Sequence, residues 1–223
     1  MSHAALKLSR SYRKSLTASL RPTNPSQSDD WERRFSLCSE RLLSAVVFRE
    51  TAFGTFQKNG SAILPFVGIY YSLFHMGVAM LCIDCATKPG QVKRMNHGRL
   101  QKMLKEKLVK RGLLKARYVK DLERAQVLRE RVNYVVGGKR IDDPHFLKEA
   151  IPVWHEKIGG HFQDALRFIN AVQEEYTATP GALAMPIAAA IGDDIGDEVY
   201  RMYLSDSDKR RVVRYLIKNN LTT

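Results

Sequence analysis

Residues 59–83 contain no Asp, Glu, Lys or Arg. A charge-free stretch of that length has two destinations, the hydrocarbon of a bilayer or the middle of a helical bundle. Gly60, Pro65, Gly68, Ser72, His75, Gly77 and the Tyr70-Tyr71 pair interrupt it, its neighbours are strongly charged, and no second span follows. These features favour the bundle over a membrane. A helix that is apolar all round must be covered on every side, which asks for several partner helices or a second copy of the chain. The expected fold is therefore all-α.

The flanking patterns agree with a bundle. Asp29-Asp30-Trp31 suits a helix start, with acids at the positive end of the helix dipole. Phe35, Cys38, Leu42, Leu43, Val46, Val47 and Ala52 recur at three- and four-residue spacing, which predicts a helix to about Gln57. A basic helix is expected over about His97–Arg111, with Gly112 as its stop. The next spans about Lys115–Val135 and breaks at Gly137-Gly138. A long helix follows from Asp142-Asp143-Pro144 to about Tyr176, with kinks expected at Pro152 and Gly159-Gly160. Two further helical patterns cover about Leu183–Leu204 and Asp206–Asn219. No strand, hairpin or repeat signal is found. The organisation reads as a basic flexible arm over 1–28, a bundle over 29–176 and a helical C-terminal extension over 177–223. The composition of the arm also matches a mitochondrial transit peptide, and the arm is favoured.

Charge narrows the function. The 223 residues hold 36 Lys and Arg against 23 Asp and Glu, a net +13. Residues 93–140 alone carry sixteen bases against Glu106, Asp121, Glu123 and Glu130. Residues 29–92 are balanced, 141–223 are acidic overall, and 1–28 hold five bases and no acid. So one-sided a segment favours a surface that meets phosphates, because clustered Lys and Arg release counterions on binding. Lys105, Lys107 and Lys110 are its representative contacts.

Metal and redox chemistry find little support. Cys38, Cys82 and Cys85 cannot pair completely, which with no secretory signal favours a reducing, cytoplasmic setting. Cys82-x-x-Cys85 is half of a zinc site at best, and reads as buried small apolar residues. His145, His155 and His161 lack the spacing of a zinc pair, and His75 reads as a core histidine. Neither glycine pair follows a strand, so no nucleotide-binding loop is expected. No metal or cofactor is implied.

Three stretches, in order, carry a resemblance. Ile69-Tyr70-Tyr71-Ser72-Leu73-Phe74-His75-Met76 is similar to the A-Y-Y-A-x-F-H stretch of HEPN domains, the higher-eukaryote and prokaryote nucleotide-binding helical bundles. Asn96-His97-Gly98 resembles their T-H-S/G step. Leu128-Arg129-Glu130-Arg131-Val132-Asn133-Tyr134 resembles the L-R-x-x-A-D-Y step of one bacterial branch. The likeness covers about residues 31–176. It implies a HEPN-like helical bundle and a homodimer whose cleft engages RNA or a nucleotide. The implied setting is a toxin–antitoxin or antiphage (antiviral) defence system. Many such proteins are metal-independent ribonucleases with an Arg-x4-His pattern; others act without chemistry beside a nucleotidyltransferase.

Here the pattern begins at Arg129 and ends at Tyr134, not His. Cleavage by 2′-hydroxyl attack needs a proton acceptor, a proton donor and a stabiliser of the crowded phosphate. Histidine titrates near neutrality and serves the first two roles, whereas tyrosine, with an ordinary pKa near 10, is a poor base. Arg129 retains bidentate phosphate binding. Residues five apart on a helix point about 140° away from each other, so Arg129 and Tyr134 share a site only near a helix break or across a dimer. Arg129 and Tyr134 are the candidate catalytic pair of a modified or degenerate site. Asn133, Arg131, His97, Lys105, Lys107 and Lys110 are the candidate RNA- or nucleotide-binding residues. Three readings stay open: a metal-independent endoribonuclease, a non-catalytic nucleotide- or partner-binding module, and a basic helical scaffold whose charge only keeps it soluble.

Overall fold

A computed structural model describes residues 6–20, 25–60, 63–134, 144–178 and 206–219, with the backbone alone described at 25–29, 59, 133–134, 144–148 and 206. The charge-free stretch forms α3, Ile63–Ile83. It is long and apolar enough to cross a membrane by length and composition, yet most of it is buried within the protein. Phe66, Ile69, Leu73, Met76, Met80 and Leu81 are among its buried side chains. Each fully buried residue of this size contributes about 1.5–3 kcal/mol relative to exposure. Its cover is supplied within one chain, by α2 (Pro25–Asn59), α5 (His97–Met103), α6 (Ala116–Tyr134) and α7 (Pro144–Thr177). The burial of α3 therefore asks for no second copy, and the expected dimer rests on the resemblance alone.

Two glycines set how closely these helices approach. A Cβ on Gly68 would come within 2.6 Å of the Ala52 Cβ and 2.7 Å of the Phe48 carbonyl oxygen on α2. Farther along, Gly77 faces Leu104, Leu100 and the Tyr118 hydroxyl. The α5 segment and α6 cross α3 there, and the Tyr118 hydroxyl donates to the Leu73 carbonyl at 2.6 Å.

The single turn α4, Pro89–Val92, leads into α5. Helix α5 continues as a π-helical stretch over Leu104–Val109, with Lys110 N–H reaching back to the Lys105 carbonyl at 3.0 Å. Gly112 stops it as expected, with φ of +70°, a conformation that suits glycine alone. The bounds of α6 and α7 match the sequence expectation to within a residue or two. Helix α7 continues through Pro152, which faces solvent while Ile151, Trp154 and Ile158 are buried beside it. The last described helix, α8, spans Asp206–Lys218 and packs on α2. Among the described residues there is no strand, and the fold is an all-α bundle. The expected helix over Leu183–Leu204 and the Gly137-Gly138 break lie outside the described residues.

The N-terminal segment departs from expectation. Within 1–28, Arg10–Leu20 forms helix α1, packed on α7 and α2 with Tyr12, Leu16 and Leu20 buried. An apolar residue at every fourth position, starting from buried Leu8, outweighs the basic, Ser-rich composition. Helix α2 also begins earlier than Asp29, at Pro25, since the fixed φ of proline suits a first helical turn.

Candidate functional site

The centre of α3 presents Tyr70, Tyr71 and Phe74 toward the start of α5 and the end of α6. Asn96 caps α5, its side-chain oxygen accepting from the Arg99 N–H at 2.9 Å. That leaves the next residue, His97, free to point back at α3. Its Nδ1 hydrogen-bonds the Tyr70 hydroxyl, and its ring lies 5.2 Å from Tyr70 and 5.5 Å from Phe74. From α6, the Arg129 guanidinium stands 4.8 Å over the Tyr70 ring and 5.9 Å from Tyr71. Two of the sequence-predicted residues, Arg129 and His97, therefore meet on one tyrosine.

The electrostatics of this cluster are one-sided. The Arg129 side chain is 15% exposed, and its nearest carboxylate, Glu130, is 3.6 Å away. Its buried Nε has no hydrogen-bond partner among the described residues. Glu130 is held by Gln126 at 2.8 Å, which in turn accepts from Gln101 at 2.8 Å. This ladder ties α5 to α6 beneath the site. Burial, aided by the Arg129 charge, lowers the His97 pKa and keeps the imidazole neutral at pH 7. Burial also raises the Tyr70 pKa, so the phenol keeps its proton. A neutral imidazole bonded to a phenol through Nδ1 has Nε2 left for a ligand. A guanidinium lying across aromatic rings keeps N–H edges available for a phosphate.

The remaining predicted residues are held elsewhere. Lys105 pairs with Glu123 at 2.6 Å. Lys107 donates to the Ala86 carbonyl at 2.6 Å. Lys110 is exposed beside α1. Arg131 is exposed and lines a groove of about 560 Å³ with Val127, Leu128, Ala150 and Trp154. Two residues apart on a helix, Arg129 and Arg131 point about 160° from each other. The side chains of Asn133 and Tyr134 lie outside the described residues.

Tyr70, Tyr71, Phe74 and Glu130 complete the cluster but were not among the sequence-predicted site residues. Their signal was the aromatic repeat on α3, which reads equally well as core. Alongside, His75 stacks on Phe48 at 5.4 Å with Arg41 3.3 Å from its Nδ1. Burial first, and Arg41 second, push its pKa down to about 4. Cys38 and Cys82 are buried, and burial raises both thiols, Cys82 to about 12. Among the described residues no group of three His, Cys, Asp or Glu side chains is placed to hold a metal ion.

Another histidine–carboxylate pair lies between α6 and α7. His161 Nε2 lies 2.9 Å from Asp121. The histidine is buried against Tyr118, and Asp121 also faces Arg124 at 3.7 Å and Lys157 at 4.0 Å. Packed on every side, this pair braces α6 against α7 and offers no access to a substrate. Comparisons with protein-family models, curated proteins and solved structures found no match.

Proposed function

We propose that this protein engages RNA, or a nucleotide, through phosphate contacts centred on Arg129 and His97. The observation that supports it is the under-coordinated Arg129 guanidinium, three-sided by Tyr70, Tyr71 and Glu130 and lacking a partner at Nε. Leaving a buried donor unmet costs about 1–3 kcal/mol, a cost that an incoming phosphate offsets. The HEPN resemblance supplies the biological frame: a homodimeric component of a toxin–antitoxin or antiphage system, with a nucleotidyltransferase as a candidate partner.

A second reading, metal-independent RNA cleavage, is favoured by the position of His97. The Arg-x4-Tyr pattern lacks the usual histidine, and α5 brings one to the same arginine from another element. In this reading His97 Nδ1–H donates to the Tyr70 hydroxyl, Nε2 takes the 2′-hydroxyl proton, and that oxygen attacks the adjacent phosphorus. The bond to the 5′-oxygen then breaks, and the leaving oxygen takes up a proton from solvent water. Arg129 stabilises the charge on the phosphate throughout.

The test uses the purified full chain with single-stranded RNA in EDTA. Salt-sensitive binding that weakens about tenfold in Arg129→Ala is the expected result. Cleavage lost in both His97→Ala and Arg129→Ala selects the ribonuclease; binding without cleavage selects the non-catalytic module. Binding unaffected by Arg129→Ala overturns the site. Sedimentation at micromolar concentration tests the dimer, which a strictly monomeric profile rejects.

A further inference from the structure

The α5 segment has a second cationic end. His97 opens it beside Tyr70; about 20 Å away, by a rise of 1.5 Å per residue over thirteen residues, Lys110 and Arg111 follow its close. There a cavity of about 530 Å³ lies between α1, the α3–α4 loop and the end of the π-helical stretch, and its lining includes Ser9, Ser11, Ser15, Cys85, Lys110 and Arg111.

Its chemistry is distinctive. Among the described residues, two cations and three serine hydroxyls line it beside Tyr12, and no carboxylate does. Arg111 has one acidic neighbour, Asp84, at 3.6 Å. Asp84 is itself buried and already accepts from the Tyr12 hydroxyl at 3.1 Å and the Thr87 hydroxyl at 2.7 Å. Lys110 has no acidic partner among the described residues. Ser11 and Ser15 lie one turn apart on the same side of α1, with Ser9 Oγ 3.2 Å from Ser11 Oγ. Ser15 donates to the Ser11 carbonyl at 3.1 Å, and of the Ser9–Ser11 pair one hydroxyl can donate to the other while the second keeps its proton for a ligand. Ala86, Cys85 and the ring of Tyr12 supply the apolar part of the lining.

A mixed cavity of this volume falls within the range of small-ligand sites, about 300–1,000 Å³, and exceeds what a bare anion fills. We propose that it binds the phosphomonoester of a nucleotide. The dianionic phosphate meets Lys110, Arg111 and the Ser11 hydroxyl, and the nucleoside lies along the Ala86–Cys85 wall. Two sources share this chemistry: a free nucleoside 5′-monophosphate and the 5′-phosphorylated end of an RNA. The site is separate from Arg129 and stands whether or not that residue meets RNA.

The experiment is calorimetric titration of the full chain with AMP, CMP, GMP and UMP, with inorganic phosphate, and with one short oligoribonucleotide carrying either a 5′-phosphate or a 5′-hydroxyl. At least one phosphomonoester is expected to bind tenfold or more tighter than inorganic phosphate. Lys110→Glu, an exposed change that the fold tolerates, is expected to weaken it at least tenfold. Ser11→Ala should weaken it less, and the gain in affinity that a 5′-phosphate gives over a 5′-hydroxyl on the oligonucleotide should survive in Arg129→Ala while being lost in Lys110→Glu. Preference for a monophosphate identifies the free nucleotide as ligand, and preference for the 5′-phosphorylated oligonucleotide identifies the RNA end. Binding of no probe more tightly than inorganic phosphate overturns the proposal, as does full affinity in Lys110→Glu.

Discussion

Two largely buried arginines flank α3, and they are treated in opposite ways. Arg34, on α2, donates to the carbonyls of Cys82, Asp84 and Thr87 and to the Asp30 carboxylate, at 2.8–3.3 Å. It closes the C-terminal end of α3, where a cation complements both the unpaired carbonyls and the helix dipole. Arg129, on α6, meets ring faces and a carboxylate beyond hydrogen-bonding distance, and keeps an unmet Nε. A buried charge with all three nitrogens hydrogen-bonded holds a fold together. One left partly unsatisfied costs stability and is available to a ligand.

The comparison is broken most directly by changing each arginine to methionine. Arg34→Met should lose about 3 kcal/mol in denaturant unfolding, since it removes several hydrogen bonds to a charged donor. Arg129→Met should change stability by less than about 1 kcal/mol, because the desolvated ring contacts it loses, about 2 kcal/mol, are offset by removal of an unmet buried donor, about 1–3 kcal/mol, while weakening RNA binding. Equal losses would erase the distinction drawn here. Tyr12→Phe sharpens the satisfied end: deleting one donor to buried Asp84 should cost about 1–2 kcal/mol in the same measurement.

The smallest effect concerns pH. His155 stacks on Phe53 at 3.9 Å with its Nε2 buried and unpartnered. Burial first, and Arg49 second, lower its pKa to about 4. The unfolded chain takes up that proton near pH 6.5 and the folded chain only near 4, so the folded form is at full advantage above 6.5 and loses it as pH falls toward 4. His155→Gln should reduce the fall in stability between pH 6.5 and 5, and His75, shifted in the same direction, should sustain the remainder. An unchanged slope in urea melts would show that His155 is solvated.

Much of the helical layout was legible in the residues. The charge-free run marked α3, Gly112 marked the end of the α5 segment, and apolar spacing bounded α6 and the last helix. Helix α1 was not legible, because five bases and many serines outweigh in composition the four-residue spacing of Leu8, Tyr12, Leu16 and Leu20. The site was half legible. Arg129 and His97 came from ordered motifs, but their meeting on Tyr70 did not, nor did the dispersal of Lys105, Lys107, Lys110 and Arg131.

Sequence alone determined that this chain is helical and that its middle is cationic, because periodicity and charge are properties of neighbours along the chain. Only the tertiary structure decided which cations are spent on carboxylates and carbonyls and which stand against aromatic rings or solvent instead. That choice depends on contacts between residues 27 to 59 positions apart, such as Tyr70 with His97 and Arg129, and packing alone brings such residues together.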